Sequence, residues 1–238
     1  MEFTLLFAAA VGPGAAWIVL RFGEPHDEAE ASRRELWDTM LTGIIAGVLV
    51  GRLAAMLTAG VNPITHLGDV VVIRGGVATG WAGLAGLVTI GVAAWRRRRP
   101  KLPDALAPAA LTGLAGWHAG CVLRSACLGT PTSLPVGWAQ PGSEIVRHPV
   151  ELYAAALLFL AAALVSIWRR RAPLFAPAGA ALAAAGMARL VTEPLRPSLH
   201  GGPVAWYAGA LAAGALVAAV ALARRSAKHD REPPPPRR

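Results

Sequence analysis

The chain has 238 residues, 55% of them hydrophobic and only 16% charged. A soluble domain carries about 25% charged residues, so the composition excludes an ordinary water-soluble fold and points to an integral membrane protein. The net charge of +9 does not mark a nucleic-acid-binding surface, because the basic residues sit in short clusters beside apolar runs and not on one polar face.

A spanning helix needs roughly 17–25 mostly apolar residues. Seven segments approach that length: 3–20, 39–58, 76–95, 104–123, 150–168, 173–192 and 203–223. Together they predict an all-α bundle of about seven transmembrane helices over residues 1–223. The opening "MEFTLLFAAA" lacks the basic region of a cleavable signal peptide, and its only charge is Glu2, so the first run is expected to be a retained span. Residues 21–38 are mixed in charge; a short cytoplasmic helix capped by Ser32, with Glu35 at the capping-box position, is expected there. The second span carries Arg52 within "GVLVGRL". "IRGGVATG" leads into the third, where Gly75, Gly76, Gly80, Gly83 and Gly86 leave a smooth face for helix packing or for close approach of a lipid. Trp95 and Trp168 precede the arginine runs "RRRR" and "RRR", as interfacial anchors do.

The fourth span holds Pro108, Trp117 and His118. Cys121 and Cys127 follow. Two cysteines give no disulfide framework and no metal pattern, and both are expected to pack as small buried hydrophobes. The connection at about 124–149 exceeds the 12–15 residues beyond which loops are usually functional or disordered. Gly129, Pro131 and Pro135 give it rigid turn chemistry, suited to a roof over a cavity or to a ligand-free structured cap. In "RHPVELY", Pro149 opens a helix at its first position, with Arg147 and His148 at its mouth and Glu151 and Tyr153 in its first turns. In "GMARLVTEPLRP", Arg189 and Glu193 lie four apart on one helix face, and Pro194 ends or kinks the helix. That pair reads either as a structural salt bridge or as a working site. The tail 224–238 is charged and proline-rich and is expected to be disordered in the cytoplasm.

Alternate connections at 21–38, 96–101, 169–171 and from 224 hold 17 of the 23 basic residues. The positive-inside rule makes that side cytoplasmic, with the N-terminus outside and the C-terminus inside. Arg74, Arg124, Arg147, Arg189 and Arg196 then collect near the outer boundary. Arginine at membrane depth is costly unless paired or functional, and each guanidinium matches a phosphate through two parallel hydrogen bonds. A lipid headgroup is the anion at hand.

From about residue 37 to 223 the chain resembles the prolipoprotein diacylglyceryl transferase family. The strongest match is "GWHAGCVLRSACLGTPTSLPVGWA" followed by "RHPVELY", with further likeness in "DALAPAALTG", "GVLVGRL", "IRGGVATG" and "GMARLVTEPLRP". The resemblance implies a roughly seven-helix protein of the bacterial cytoplasmic (inner) membrane. It implies transfer of diacylglyceryl from phosphatidylglycerol to the lipobox cysteine of a prolipoprotein signal peptide, without metal or organic cofactor, nucleic acid or obligate oligomer. On that reading Arg189 and Arg147 hold phosphate, Glu193 orients Arg189, and His148 or His118 takes the thiol proton. Arg52, Arg74, Gly75, Gly76, Gly120, Gly129 and Tyr153 line the substrate. The chain departs from the family at His118, where the signature places arginine, and at Cys121, Ala126, Gly80 and Ala185, where some members place asparagine, glutamate, histidine and tyrosine. These departures keep open a catalytically degenerate lipid-binding paralogue. A small transporter fits less well, because the polar groups collect near one surface and not around a midplane site.

Overall fold

A computed structural model describes residues 2–22, 30–71, 76–124, 127–140, 142–197 and 202–229. The protein is mostly helical. Its long helices are α1 (Glu2–Phe22), α2 (Glu30–Thr58), α4 (Thr79–Arg96), α5 (Leu102–Ala119), α6 (Val150–Trp168), α7 (Ala176–Thr192) and α8 (Val204–His229), with a short α3 at Leu67–Val71. Each long helix overlaps one of the apolar segments. Among the described residues, 33–58, 150–168 and 204–227 are long and apolar enough to cross a membrane, and 10–22 is a shorter apolar helix. α4, α5 and α7 have 17 or 18 residues.

The chain divides into two compact units, Met1–Gly23 with Asp104–Arg238, and Glu24–Pro103. In the first, α5, α6 and α7 share a core built from Ala107, Leu111, Ala115, Leu158, Ala162, Val165, Ala181 and Ala188. Small residues bring backbones together, as helix packing in lipid favours. A Cβ on Gly116 would lie 2.7 Å from the Val11 carbonyl oxygen, so α1 touches α5 directly. A Cβ on Gly179 would lie 2.7 Å from both the Gly214 oxygen and the Ala218 nitrogen, and one on Gly186 would lie 2.6 Å from the Tyr207 oxygen. α7 and α8 therefore meet backbone to backbone. At the start of α7, Asp104 accepts hydrogen bonds from the Phe175 and Ala178 N–H groups at 2.8 and 3.0 Å. It satisfies donors that every helix N-terminus leaves open.

α8 runs to His229, so residues 224–229 are helical where a disordered tail was expected. Arg, Ala and Lys are good helix formers and simply continue the last span. Residues 230–238 lie outside the described residues. In the described part of the long connection, β1 (Trp138–Ala139) pairs antiparallel with β2 (Val146–Arg147), and Pro131 bridges to Arg147.

In the second unit, α2 packs on α4. A Cβ on Gly47 would lie 2.8 Å from the Ala82 oxygen. Gly86 faces the Gly43 carbonyl, which fits the packing role of the glycine face, while a Cβ on Gly83 would meet nothing within 4 Å. Glu35 pairs with Arg97 at 3.2 Å and Arg99 at 3.1 Å, so two of the expected anchor arginines also tie α4 to α2. The expected cap at Ser32 is corrected: α2 begins at Glu30, and Ser32 lies within it. No Gly or Pro separates that stretch from the span, so one helix continues through both.

Candidate active site

Within the first unit, the C-terminal ends of α5 and α7 meet the N-terminal ends of α6 and α8. That end gathers His118 from the last turn of α5, Glu151 from the first turn of α6, Arg189 from the last turn of α7, and Tyr207 from the first turn of α8. After α7, Glu193 opens a 3₁₀ turn with Pro194 and Leu195, and Arg196 follows it.

Glu151 is the hub. Its Oε2 lies 2.5 Å from His118 Nδ1 and 3.4 Å from Arg189 Nη1, and its Oε1 lies 3.3 Å from Arg196 Nε. Glu193 Oε2 accepts from Arg189 Nη2 at 3.2 Å and from Arg196 Nη1 at 3.5 Å. The Arg189 guanidinium also donates to the Tyr207 hydroxyl at 3.5 Å and sits 5.3 Å from its ring centroid. Such a cation–π contact adds to the hold on a desolvated guanidinium. The side chains of Arg189 and Glu193 are 10% and 6% exposed, while Arg196 is 38% exposed. Charges buried to this degree persist only when paired. Here two carboxylates balance two guanidiniums, beside the His118 imidazole.

A second group sits where the long connection meets α6. The Gly129 N–H donates to the His148 carbonyl at 2.7 Å, and Thr130 N–H to the Leu195 carbonyl at 2.8 Å. Arg147 Nη1 donates back to the Gly129 carbonyl at 3.2 Å. A Cβ on Gly129 would collide with the Leu195 carbonyl oxygen and Val150 Cγ2, so only glycine lets this strand of chain lie between α6 and the turn after α7. His148 Nδ1 and the Tyr153 hydroxyl are 3.4 Å apart. Gly202, at φ +62°, lets the chain pass against the Glu193 carboxylate, which any side chain there would strike.

One expectation is overturned. Cys121 and Cys127 are buried as expected, but they form a disulfide. The 3₁₀ turn Gly120–Arg124 folds the chain back so that their Cα atoms are 5.0 Å apart, within the range a disulfide spans. The bridge ties the end of α5 to residue 127, whose carbonyl accepts the Glu151 N–H at 3.3 Å.

The structure thus joins His118, Arg189 and Glu193 in one array and places Gly129, Arg147, His148 and Tyr153 in a neighbouring one. Gly120 is buried at the start of the 3₁₀ turn. Arg52 belongs to the other unit, where it is buried and donates to the carbonyls of Asp69 at 2.9 Å and Gly76 at 3.1 Å. Gly76 takes φ +82° there. Arg74, Gly75 and Ala126 lie outside the described residues, as does the side chain of Arg124. Sequence reasoning gave no site role to Glu151 or Tyr207, and named Arg196 only among the arginines near the outer boundary. Glu151 is the only charged residue in the nineteen of α6, and that was the available signal. Tyr207 had none: it brings a phenol to Arg189 from another helix, while Ala185 packs against the core.

A family model described as prolipoprotein diacylglyceryl transferase matches residues 2–202. The phosphatidylglycerol–prolipoprotein diacylglyceryl transferase of Cupriavidus metallidurans is 33% identical over 187 residues, covering 73% of this chain and 68% of that protein. The proteins of the same name from Methylibium petroleiphilum and Cupriavidus necator are 30% and 31% identical, over 72% and 73% of this chain and 69% and 67% of theirs. The chain belongs to the prolipoprotein diacylglyceryl transferase family.

Proposed function

We propose that this protein transfers the diacylglyceryl group of phosphatidylglycerol to the lipobox cysteine thiol of prolipoproteins. A thioether forms and glycerol phosphate leaves. The observation that carries the reading is the array at one end of α5–α8, where two guanidiniums and an imidazole converge within reach of one carboxylate. Arg189 and Arg196 hold the phosphate as charge builds on the leaving group. Glu193 orients both arginines. Arg147 supplies a further cation at the mouth, and a histidine, His118 or His148, takes the thiol proton. Gly129 and Tyr153 shape the opening, with Gly120 beneath them. For Arg52 and Gly76 a substrate role has less support, since Arg52 is engaged on backbone carbonyls.

The protein works as a monomer in the bacterial cytoplasmic membrane, crossing it seven times with the N-terminus outside. The charge distribution supports that orientation, and a buried disulfide beside the array fits an oxidising compartment. A reporter fused after Arg225 should read as cytoplasmic.

A second reading is a lipid-binding paralogue without chemistry. His118 in the place of the signature arginine, and the balance of carboxylates against guanidiniums, favour it. One experiment separates the two. The protein is expressed in cells depleted of their own transferase, and a lipobox substrate is examined for added diacylglycerol. Lipid-modified substrate is expected. Unmodified substrate alongside well-inserted protein that still binds phosphatidylglycerol establishes the paralogue.

A further inference from the structure

We infer that Glu151 is a positioning residue that sets His118, not His148, as the base for the substrate thiol. The inference rests on the transferase reading above. An imidazole serves as a base through one nitrogen only when the other carries the proton and is held. A carboxylate only accepts hydrogen bonds. With Glu151 Oε2 at 2.5 Å, the contact favours the Nδ1–H tautomer of His118, which leaves Nε2 as the nitrogen that can accept a proton. No side chain among the described residues holds Nε2. The His118 ring is 13% exposed and Glu151 14%, so neither swings freely in water. His148 lacks this arrangement: its Nδ1 faces a tyrosine hydroxyl at 3.4 Å, which donates or accepts equally well and fixes no tautomer.

The pairing is braced from both sides. The Cys121–Cys127 disulfide begins three residues after His118 and ends at the carbonyl that receives the Glu151 N–H. Covalent and hydrogen bonds therefore close a ring through the two partners. The oxygen that faces His118 also faces Arg189 Nη1 at 3.4 Å. One carboxylate thus sets the spacing between the group that receives a proton and the cation that receives a phosphate. In an in-line displacement that spacing must match the separation of the sulfur and the departing oxygen.

The thiol S–H bond breaks and its proton goes to His118 Nε2, giving an imidazolium whose charge faces Glu151. The thiolate attacks the glyceryl carbon that carries the phosphate ester. The C–S bond forms as the C–O bond breaks, and the electron pair leaves on the phosphate oxygen held by Arg189 and Arg196. The imidazolium then gives its proton to the departing glycerol phosphate or to water.

The test uses the purified full chain in phosphatidylglycerol-containing nanodiscs with a lipobox-cysteine peptide. Glu151→Gln keeps size and an acceptor oxygen but removes the charge that stabilises the imidazolium. Its kcat should fall about 100- to 10,000-fold, the span of general-base contributions, while KM for phosphatidylglycerol stays within about threefold. His118→Gln should lose a similar factor, and the double variant should be no slower than His118→Gln alone, as groups acting in one unit behave. Losses that multiply, or a Glu151→Gln effect confined to KM, overturn the assignment and leave Glu151 as a partner of the arginines only. A second measurement needs no variant to turn over. Nitrogen-15 histidine spectra of the wild-type protein should show the His118 signal, identified by its loss in His118→Gln, as the Nδ1-protonated tautomer. The Nε2-protonated form overturns the pairing. A wild-type protein that transfers nothing overturns the transferase reading and the base role with it, while the tautomer still reports on the geometry.

Discussion

Arg189→Ala separates the structural from the chemical role of the central arginine. Pulling α7 away from its neighbours breaks the bonds from Arg189 to Glu151 on α6 and to Tyr207 on α8. It does not break the Arg189–Glu193 pair, which is four residues apart on one segment and survives in an isolated helix. Interhelical polar contacts in membrane proteins contribute roughly 0.6–1.7 kcal/mol each, so losing two costs about 1–3 kcal/mol. The full penalty of about 3–5 kcal/mol for orphaning a buried charge is not reached, because Glu193 keeps Arg196 at 3.5 Å. Glu193→Gln, which touches only the pairs with Arg189 and Arg196 on its own segment, should cost under about 1 kcal/mol. Thermal or SDS-driven unfolding in mild detergent reads both. Turnover should respond differently: without a guanidinium on the developing phosphate charge, kcat/KM should drop about 100- to 1,000-fold in Arg189→Ala. Arg189→Ala/Glu193→Ala removes the buried carboxylate as well and should regain part of the stability but none of the activity. A double variant that recovers both would refute the phosphate-binding role and leave Arg189 as a strut.

Gly129→Ala should destabilise by about 1–3 kcal/mol, as overpacking does, because its Cβ meets a carbonyl oxygen and a buried valine; Gly83→Ala, with open space around it, is the matched control expected to unfold like wild type. Cys121→Ser/Cys127→Ser should lower stability by about 2 kcal/mol on the loop-entropy account of a bridge this short, and maleimide labelling of the unfolded wild type should find two thiols only after reduction. Gly179→Val drives a branched side chain into the α8 backbone and should lower the unfolding midpoint sharply; an unchanged midpoint would mean that α7 and α8 do not touch as described.

The helices were legible because a run of apolar residues of spanning length has few other uses. The Arg189–Glu193 pair was legible because helical spacing alone brings residues four apart together. The His118–Glu151 pair, 33 residues apart, depends on how α5 and α6 cross, and no local pattern encodes that. Tyr207 reaches Arg189 only because Gly179, Gly186 and Gly214 let α8 lie against α7. The disulfide was hidden by count: two cysteines make no framework on paper, and only the fold-back at Gly120–Arg124 brings them together. Ser32 and residues 224–229 were misread for one reason. Polar composition marks where a helix leaves the apolar layer, not where it stops.

The balance of two carboxylates against two guanidiniums has a consequence for traffic through the site. A bilayer rich in anionic headgroups would crowd an uncompensated pair of arginines, and a phosphate monoester, more highly charged than the diester it came from, would be slow to depart. On the proposed phosphate-binding role of the two arginines, Glu193, which accepts from both, is the resident competitor. A phosphate arriving there would displace that carboxylate, and the carboxylate would return as the phosphate left. Arg196, the more exposed of the two cations, is the natural place for that exchange to begin. On that reading tightness is traded for clearance, and weak inhibition by glycerol phosphate is the expected kinetic sign.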